Sequence, residues 1–206
     1  RHLTPNTLFL ALKGERFDAH EFLAAARAQG ATGAVVRRGT PPVDGLPFFE
    51  VRDTLEALGL LALARRRQLP AASPVVAITG SSGKTSTKEM IRAALATRWR
   101  VHATPANLNN LVGVPLTILS APDDATALVV EAGASVPGEI AALRRIIEPT
   151  IAVITNVGYA HLEGFGSLQG VMREKLALAV GAPVAIVGTE PPELAQMLSG
   201  PELIEL

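Results

Sequence analysis

The sequence contains no cysteine. That excludes disulfides, thiolate nucleophiles and cysteine-ligated zinc together. It has no opening pattern of a basic stretch, an apolar stretch and a cleavage site, so the expected compartment is the cytoplasm. No run of about 18 apolar residues is present to span a bilayer. Nor is there an excess of either charge: Lys+Arg and Asp+Glu both number 19. Without a global field, neither nucleic acid nor an anionic membrane surface is an expected partner, and any charge chemistry must be local. Asn and Gln are scarce and arginine far outnumbers lysine, a composition often met in heat-adapted proteins. Repeats and low-complexity tracts are absent as well.

What is present is ample apolar content, 48% of 206 residues, enough for one large or two modest domains. The segment LPAASPV (69–75), with two prolines among small residues, is the expected linker. Before it, strand patterns at 7–12, 33–37 and 47–51 accompany helical patterns at 19–29 and 53–67, a small α/β unit. After it, the β-branched runs at 75–79, 127–131, 151–155 and 184–187 alternate with helical stretches at 84–98, 137–147 and 167–180. Continuous apolar strands with helices between them predict a parallel sheet covered on both faces. Ligands in such sheets sit beyond the carboxyl ends of the strands. The clusters TGSSGKTS, EAGAS and TNVGYAH all follow strands immediately.

TGSSGKTS is the most specific of these. A strand that turns through Gly80 and Gly83 and enters a helix at Lys84 can aim successive backbone N–H groups, from Thr79 through Ser81 and Ser82 to Ser86, at an anion. Lys84 would then reach the β/γ-phosphates as a point charge, and the Thr85 hydroxyl would ligate Mg²⁺. Ile78 stands where the strict phosphate-loop pattern has its first glycine, so this is a shortened relative of that loop. The competing reading is an ordinary glycine-rich turn with a lysine in the first helical turn, where the helix dipole disfavours a cation. Glu131 ends a strand with small residues beside it, which suits a Mg²⁺ ligand, although a strand-terminal Glu can be merely solvated. His161 lies in a glycine-containing loop and reads either as a ligand or as a structural hydrogen bonder. Lys175 sits on a helix whose apolar positions, Val171, Leu176 and Val180, could leave it on a partly buried shoulder; the alternative is a snorkelling surface lysine.

Taken together, AITGSSGKTSTKEM, ANLNNLVGVPLTIL, VVEAGA and TNVGYAHLEGFGSLQGVMREK resemble the ATP-dependent Mur ligases of bacterial cell-wall synthesis. NLNN followed by GVPLT, and AHLEGFGS, resemble the branch that adds D-alanyl-D-alanine to UDP-N-acetylmuramoyl-tripeptide. LFLALKGERFDAHEFLAAARAQGA is similar to that family's uridine-nucleotide domain. The resemblance implies a small N-terminal α/β uridine-nucleotide domain (1–72) and a Rossmann-like, three-layer ATP-binding domain (73–206), the latter incomplete and without the family's third domain. It implies ATP and Mg²⁺ as cofactors, with Lys84, His161 and Lys175 in catalysis, Thr85, Glu131 and His161 as metal ligands, and Lys175 as the family's carbamylated lysine. Asn109 and Asn110 would lie near ATP or the muramoyl substrate, and Asp18 and His20 at the uridine diphosphate. Asn side chains also cap turns, and an Asp-x-His before a helix can simply cap it.

Three departures accompany the match. Ala177 replaces the glutamate of the usual Lys-x-Glu; VGTEPPEL replaces an Asn-Ala-Asp-like turn near the adenine; and the opening RHLTPNTLF looks like the tail of an Asp-Ser-Arg motif. The implied chemistry is amide formation through an acyl phosphate, by a monomer acting on small molecules. The rivals are another Mur ligase, a folylpolyglutamate synthase, and a phosphate-loop module or interface subunit without ligase activity.

Overall fold

The structure, a computed structural model, describes residues 6–14, 17–158, 162–198 and 202–205, with the side chains of Leu162, Glu163 and Glu205 excepted. The chain divides into two compact units, Arg1–Leu60 and Leu61–Leu206. Both are α/β.

In the first unit the strands β1 (Thr7–Leu10), β2 (Ala31–Arg37) and β3 (Phe48–Val51) form a parallel sheet in that order. A 3₁₀ turn (Ala19–Phe22) leads into helix α1 (Leu23–Ala28), so the helical pattern expected at 19–29 is split. Ala26 and Leu23 of α1 join Ala34 and Val36 of β2 in a small core. Helix α2 (Thr54–Arg66) begins where the Asp53 carboxylate accepts from the N–H groups of Leu55 and Glu56, an N-cap.

The boundary between units falls inside α2 rather than in the proline-containing stretch 69–75. Beyond Leu60, Arg65 donates to the Ala121 carbonyl, and Arg66 donates to the carbonyls of Ile147 and Glu148. Ala62 and Leu69 lie in the core of the second unit. Long-range side-chain bonds, invisible to local composition, set the division.

In the second unit six parallel strands follow the order β5-β6-β4-β7-β8-β9. They are β4 (Val75–Thr79), β5 (Val101–Ala103), β6 (Ala127–Glu131), β7 (Ile151–Ile154), β8 (Val184–Val187) and β9 (Glu202–Glu205). The period of two along each strand sorts side chains to two faces. Val75 and Ala77 of β4, with Leu128 and Val130 of β6, face one core; Val76 and Ile78, with Val129, face the other. On the first face lie helices α4 (Gly113–Leu119), α5 (Glu139–Ile147) and α7 (Leu168–Leu176), the last preceded by the single turn α6 (Leu162–Phe165). Helix α3 (Lys84–Leu95) covers the second face through Ile91 and Leu95. Because β5 and β6 lie to one side of β4 and β7 to β9 to the other, the direction of winding reverses at β4, and its carboxyl end is where a ligand crevice is expected.

Candidate functional site

The segment between β4 and α3 turns through two glycines with positive φ, Gly80 at 150° and Gly83 at 77°. At Gly80 no other residue fits: a Cβ there would stand 2.0 Å from the Thr155 hydroxyl. Gly83 precedes the helix, and the N–H groups at the head of α3 have no acceptors within the helix itself. The Lys84 ammonium folds back onto its own loop, donating to the Gly80 carbonyl at 2.7 Å.

A second strand end clasps this loop. The Ser81 N–H donates to the Asn156 carbonyl, and the Ser82 N–H donates to Asn156 Oδ1, both at 3.0 Å. Asn156 Nδ2 donates to Ser82 Oγ, the Thr155 hydroxyl to the Ser82 carbonyl, and the Gly158 N–H to Ser81 Oγ. The N–H groups of Ser81 and Ser82 are therefore occupied by Asn156, which leaves the head of α3, around Lys84, Thr85 and Ser86, for an anion. Thr79, at the end of β4, is fully buried and its hydroxyl has no partner among the described residues.

Glu131 ends β6 next to this loop and is 2% exposed, so it is not a solvated strand end. Its carboxylate accepts from the Thr85 hydroxyl and from Asn109 Nδ2, each at 2.9 Å. Its own N–H donates to the Thr104 hydroxyl, also at 2.9 Å. Asn109 is fixed in turn by its carbonyl, which accepts from Gly133 at 2.7 Å, and a Cβ at Gly133 would crowd the Asn109 side chain at 3.0 Å. The adjacent Asn110 points elsewhere: its Oδ1 accepts from the N–H groups of Val112 and Gly113 at the start of α4. The two asparagines thus divide into one site residue and one cap.

Lys175, on α7, is 3% exposed, which removes the snorkelling alternative. Its ammonium lies 6.0 Å from the Phe165 ring centre. Burial, and then the positive charge of Lys84, push it down to about 8, against the opposing influence of Glu174 and Glu139. Glu174 is buried and accepts from the N–H groups of Gly138 and Ile140 at 2.8 Å, where the positive end of α5 suits a carboxylate. His161 lies outside the described residues.

The first unit holds the other expected pair. His20 Nε2 accepts from the Arg37 N–H, so its Nδ1–H donates to Asp18 Oδ1, at 2.6 Å. Asp18 also accepts from the His20 N–H, capping the 3₁₀ turn, and pairs with Lys13 at 3.1 Å. These bonds, the His20 side chain first, hold the carboxyl near 2. A cleft of about 270 Å³ opens beside them, lined by Lys13, His20, Arg37, Arg52, Asp53 and Thr54, with three cationic side chains at one mouth.

The Mur ligase middle domain, as a family model, matches residues 78–202. The chain belongs to the Mur ligase family. It is 48% identical over 184 residues to the UDP-N-acetylmuramoyl-tripeptide--D-alanyl-D-alanine ligase of Escherichia coli (strain K12), covering 89% of this chain and 40% of that protein. Among solved structures it resembles MurF from Acinetobacter baumannii, with a TM-score of 0.92 at 39% identity, over 99% of this chain and 46% of that one. It also resembles MurF ligase from Thermotoga maritima in complex with ADP, with a TM-score of 0.89 at 35% identity, over 98% and 47%. This Mur ligase chain therefore spans less than half the length of the relatives it matches.

Four residues that hold groups of the candidate site escaped sequence reasoning. Asn156 holds the Ser82 N–H, Thr104 the Glu131 N–H, Glu174 the N–H groups of Gly138 and Ile140, and Lys88 donates to the Thr104 carbonyl. Asn156 sits in the same strand-end cluster as His161 and could have been found there. Lys88 could have been found as one turn of helix beyond Lys84.

Proposed function

We propose that this Mur ligase chain binds Mg·ATP and a UDP-linked substrate within an enzyme that joins D-alanyl-D-alanine to UDP-N-acetylmuramoyl-tripeptide. The observation that carries the reading is the buried Glu131 carboxylate, bridging the Thr85 hydroxyl and Asn109 beside the head of α3. The Thr85 hydroxyl and the Glu131 carboxylate offer hard oxygens, as Mg²⁺ prefers. Among the described residues no group of three or more His, Asp or Glu could enclose a metal alone. Two protein oxygens with the remaining positions left for phosphate and water fit a nucleotide-borne Mg²⁺. Thr85 and Glu131 would hold the ion, which supplies positive charge where a peptide carboxylate and a triphosphate must approach each other.

The protein groups do the rest. Lys84 leaves the Gly80 carbonyl for the phosphate oxygens, and the N–H groups of α3 hold them in line. The substrate carboxylate attacks the γ-phosphorus and ADP departs; the dipeptide amine then displaces phosphate from the acyl phosphate, losing a proton. Lys175, partly neutral near pH 8, adds its lone pair to carbon dioxide and releases a proton, becoming a carbamate that turns a repelling cation into a metal-compatible anion. Lys13, Arg37 and Arg52 take the diphosphate of the uridine substrate, with Asp18 holding His20 in place. Substrates of this kind put the reaction in the cytoplasm. Among the described residues no helix is long and apolar enough to cross a membrane.

The test is acceptor dependence. The enzyme carrying this sequence is expected to release ADP and phosphate only when UDP-N-acetylmuramoyl-tripeptide and D-alanyl-D-alanine are both supplied. Nucleotide hydrolysis indifferent to either would overturn the ligase reading.

A further inference from the structure

Lys88 is 2% exposed, lies one turn beyond Lys84 on α3, and takes no part in the chemistry proposed above. Its ammonium donates to the Thr104 carbonyl at 2.8 Å and pairs with the half-exposed Glu89 at 3.1 Å. A buried cation costs several kcal/mol of desolvation, and cores commonly gain when one is replaced by an apolar side chain of similar size. The chain also uses arginine for most of its cations, 15 of 19, yet places a lysine here. Stability alone does not account for that choice.

What Thr104 does accounts for it. Residue 104 follows β5 directly, and its hydroxyl receives the N–H of Glu131 at 2.9 Å. Its own N–H is bonded to the Val129 carbonyl. With its carbonyl on Lys88, all three of its polar groups are engaged, and it begins the 105–110 loop that delivers Asn109 to the Glu131 carboxylate. Glu131 is therefore gripped twice, at its N–H by the Thr104 hydroxyl and at its carboxylate by Asn109 Nδ2, and Lys88 ties Thr104 to the helix bearing Lys84 and Thr85.

We propose that Lys88 is a positioning residue for Glu131: by pinning Thr104 to α3 it holds the carboxylate against the Thr85 hydroxyl, where the two would hold the nucleotide's Mg²⁺. A compact ammonium on a flexible stem reaches a single carbonyl here, where a planar guanidinium would need room for more acceptors. The proposal rests on the Mg·nucleotide reading of the site. It separates from that reading because the phosphates are held by Lys84 and the helix head, whereas Lys88 acts only through the metal ligand.

The experiment is calorimetric titration of ADP, with Mg²⁺ and with EDTA, into the unsubstituted protein, Lys88→Met and Thr104→Val. The unsubstituted protein is expected to bind ADP in both buffers and more tightly with Mg²⁺. Lys88→Met is expected to lose about 10- to 100-fold of the Mg²⁺-dependent gain, the usual effect of removing a group that orients a metal ligand, while ADP affinity in EDTA stays within about twofold. Thr104→Val, which removes only the hydroxyl that receives the Glu131 N–H, is expected to do the same. An undiminished Mg²⁺ gain in either variant overturns the proposal, as does an equal loss in both buffers, which would mark a general packing role. If Lys88→Met does not fold, Thr104→Val decides alone. No ADP binding by the unsubstituted protein in either buffer would overturn the nucleotide reading, and this proposal with it.

Discussion

Lys175 is deprived of water and placed within the field of a second cation, and both influences lower its proton affinity. Because the folded-state value, about 8, lies below the ordinary 10.5, the folded chain binds fewer protons than the unfolded chain between those two pH values. Stability must then rise with pH across that window, and the penalty of burying the ammonium is complete below it. Lys175→Met, in carbon-dioxide-free buffer, should be more stable than the parent at pH 7, with the difference shrinking as pH climbs from about 8 toward 10.5; urea midpoints at several pH values measure it. Asp18 runs the opposite way. Its value is held near 2, below the ordinary 3.8, so its stabilising contribution is complete above 3.8 and disappears as pH falls toward 2. Asp18→Asn should therefore unfold sooner than the parent at neutral pH and converge with it in strong acid. At this scale the sequence was partly legible. That Lys84, Thr85 and Glu131 share one edge of the sheet was readable from their places at and after strands, and the Thr85 hydroxyl does meet the Glu131 carboxylate. Asn109 and Asn110 were not separable, since adjacent side chains leave the chain in different directions and only the loop decides which meets Glu131.

Among the elements, α7 and α5 share an apolar core and are also joined by a carboxylate. Ala177 stands where a glutamate was expected, yet Glu174, one residue before Lys175, supplies a buried acid that caps α5. Glu174→Ala leaves the N–H groups of Gly138 and Ile140 without that acceptor, and should cost about 2–3 kcal/mol in urea denaturation. The loop between β4 and α3 depends on Gly80 in the same local way. Gly80→Ala sets a methyl group 2.0 Å from the Thr155 hydroxyl at a φ of 150°, and the loop must move. A loss of about 1–3 kcal/mol, together with weaker ADP binding, is the expected outcome. Strands such as β4 were legible because a run of five buried β-branched or small residues has few other uses. The three-residue β5 was not, since VHA carries too few positions to show a period. Helix α7 stops at Leu176, four residues before its expected end, where Ala177 and Leu178 donate to carbonyls three and four residues back and Gly181 takes a positive φ.

For the molecule as a whole, the parallel sheet, the polar clusters at its carboxyl edge and the family were legible, because each rests on a pattern many residues long. The division into units was not. Prolines at 70 and 74 look like punctuation, but Arg65 and Arg66 attach the end of α2 to carbonyls more than 50 residues away, and such attachments leave no local trace. The central claim is that the two units serve two ligands, with the head of α3, around Lys84, Thr85 and Ser86, holding Mg·nucleotide and the first unit holding the uridine diphosphate. Calorimetric titration of Mg·ADP and of UDP into the parent protein and into Lys84→Ala tests it most directly. Removal of one charged hydrogen bond, about 1.5–3 kcal/mol, should weaken Mg·ADP binding by about 10- to 100-fold and leave UDP affinity within about twofold. Unchanged Mg·ADP binding, or a parallel loss of UDP binding, would contradict the account.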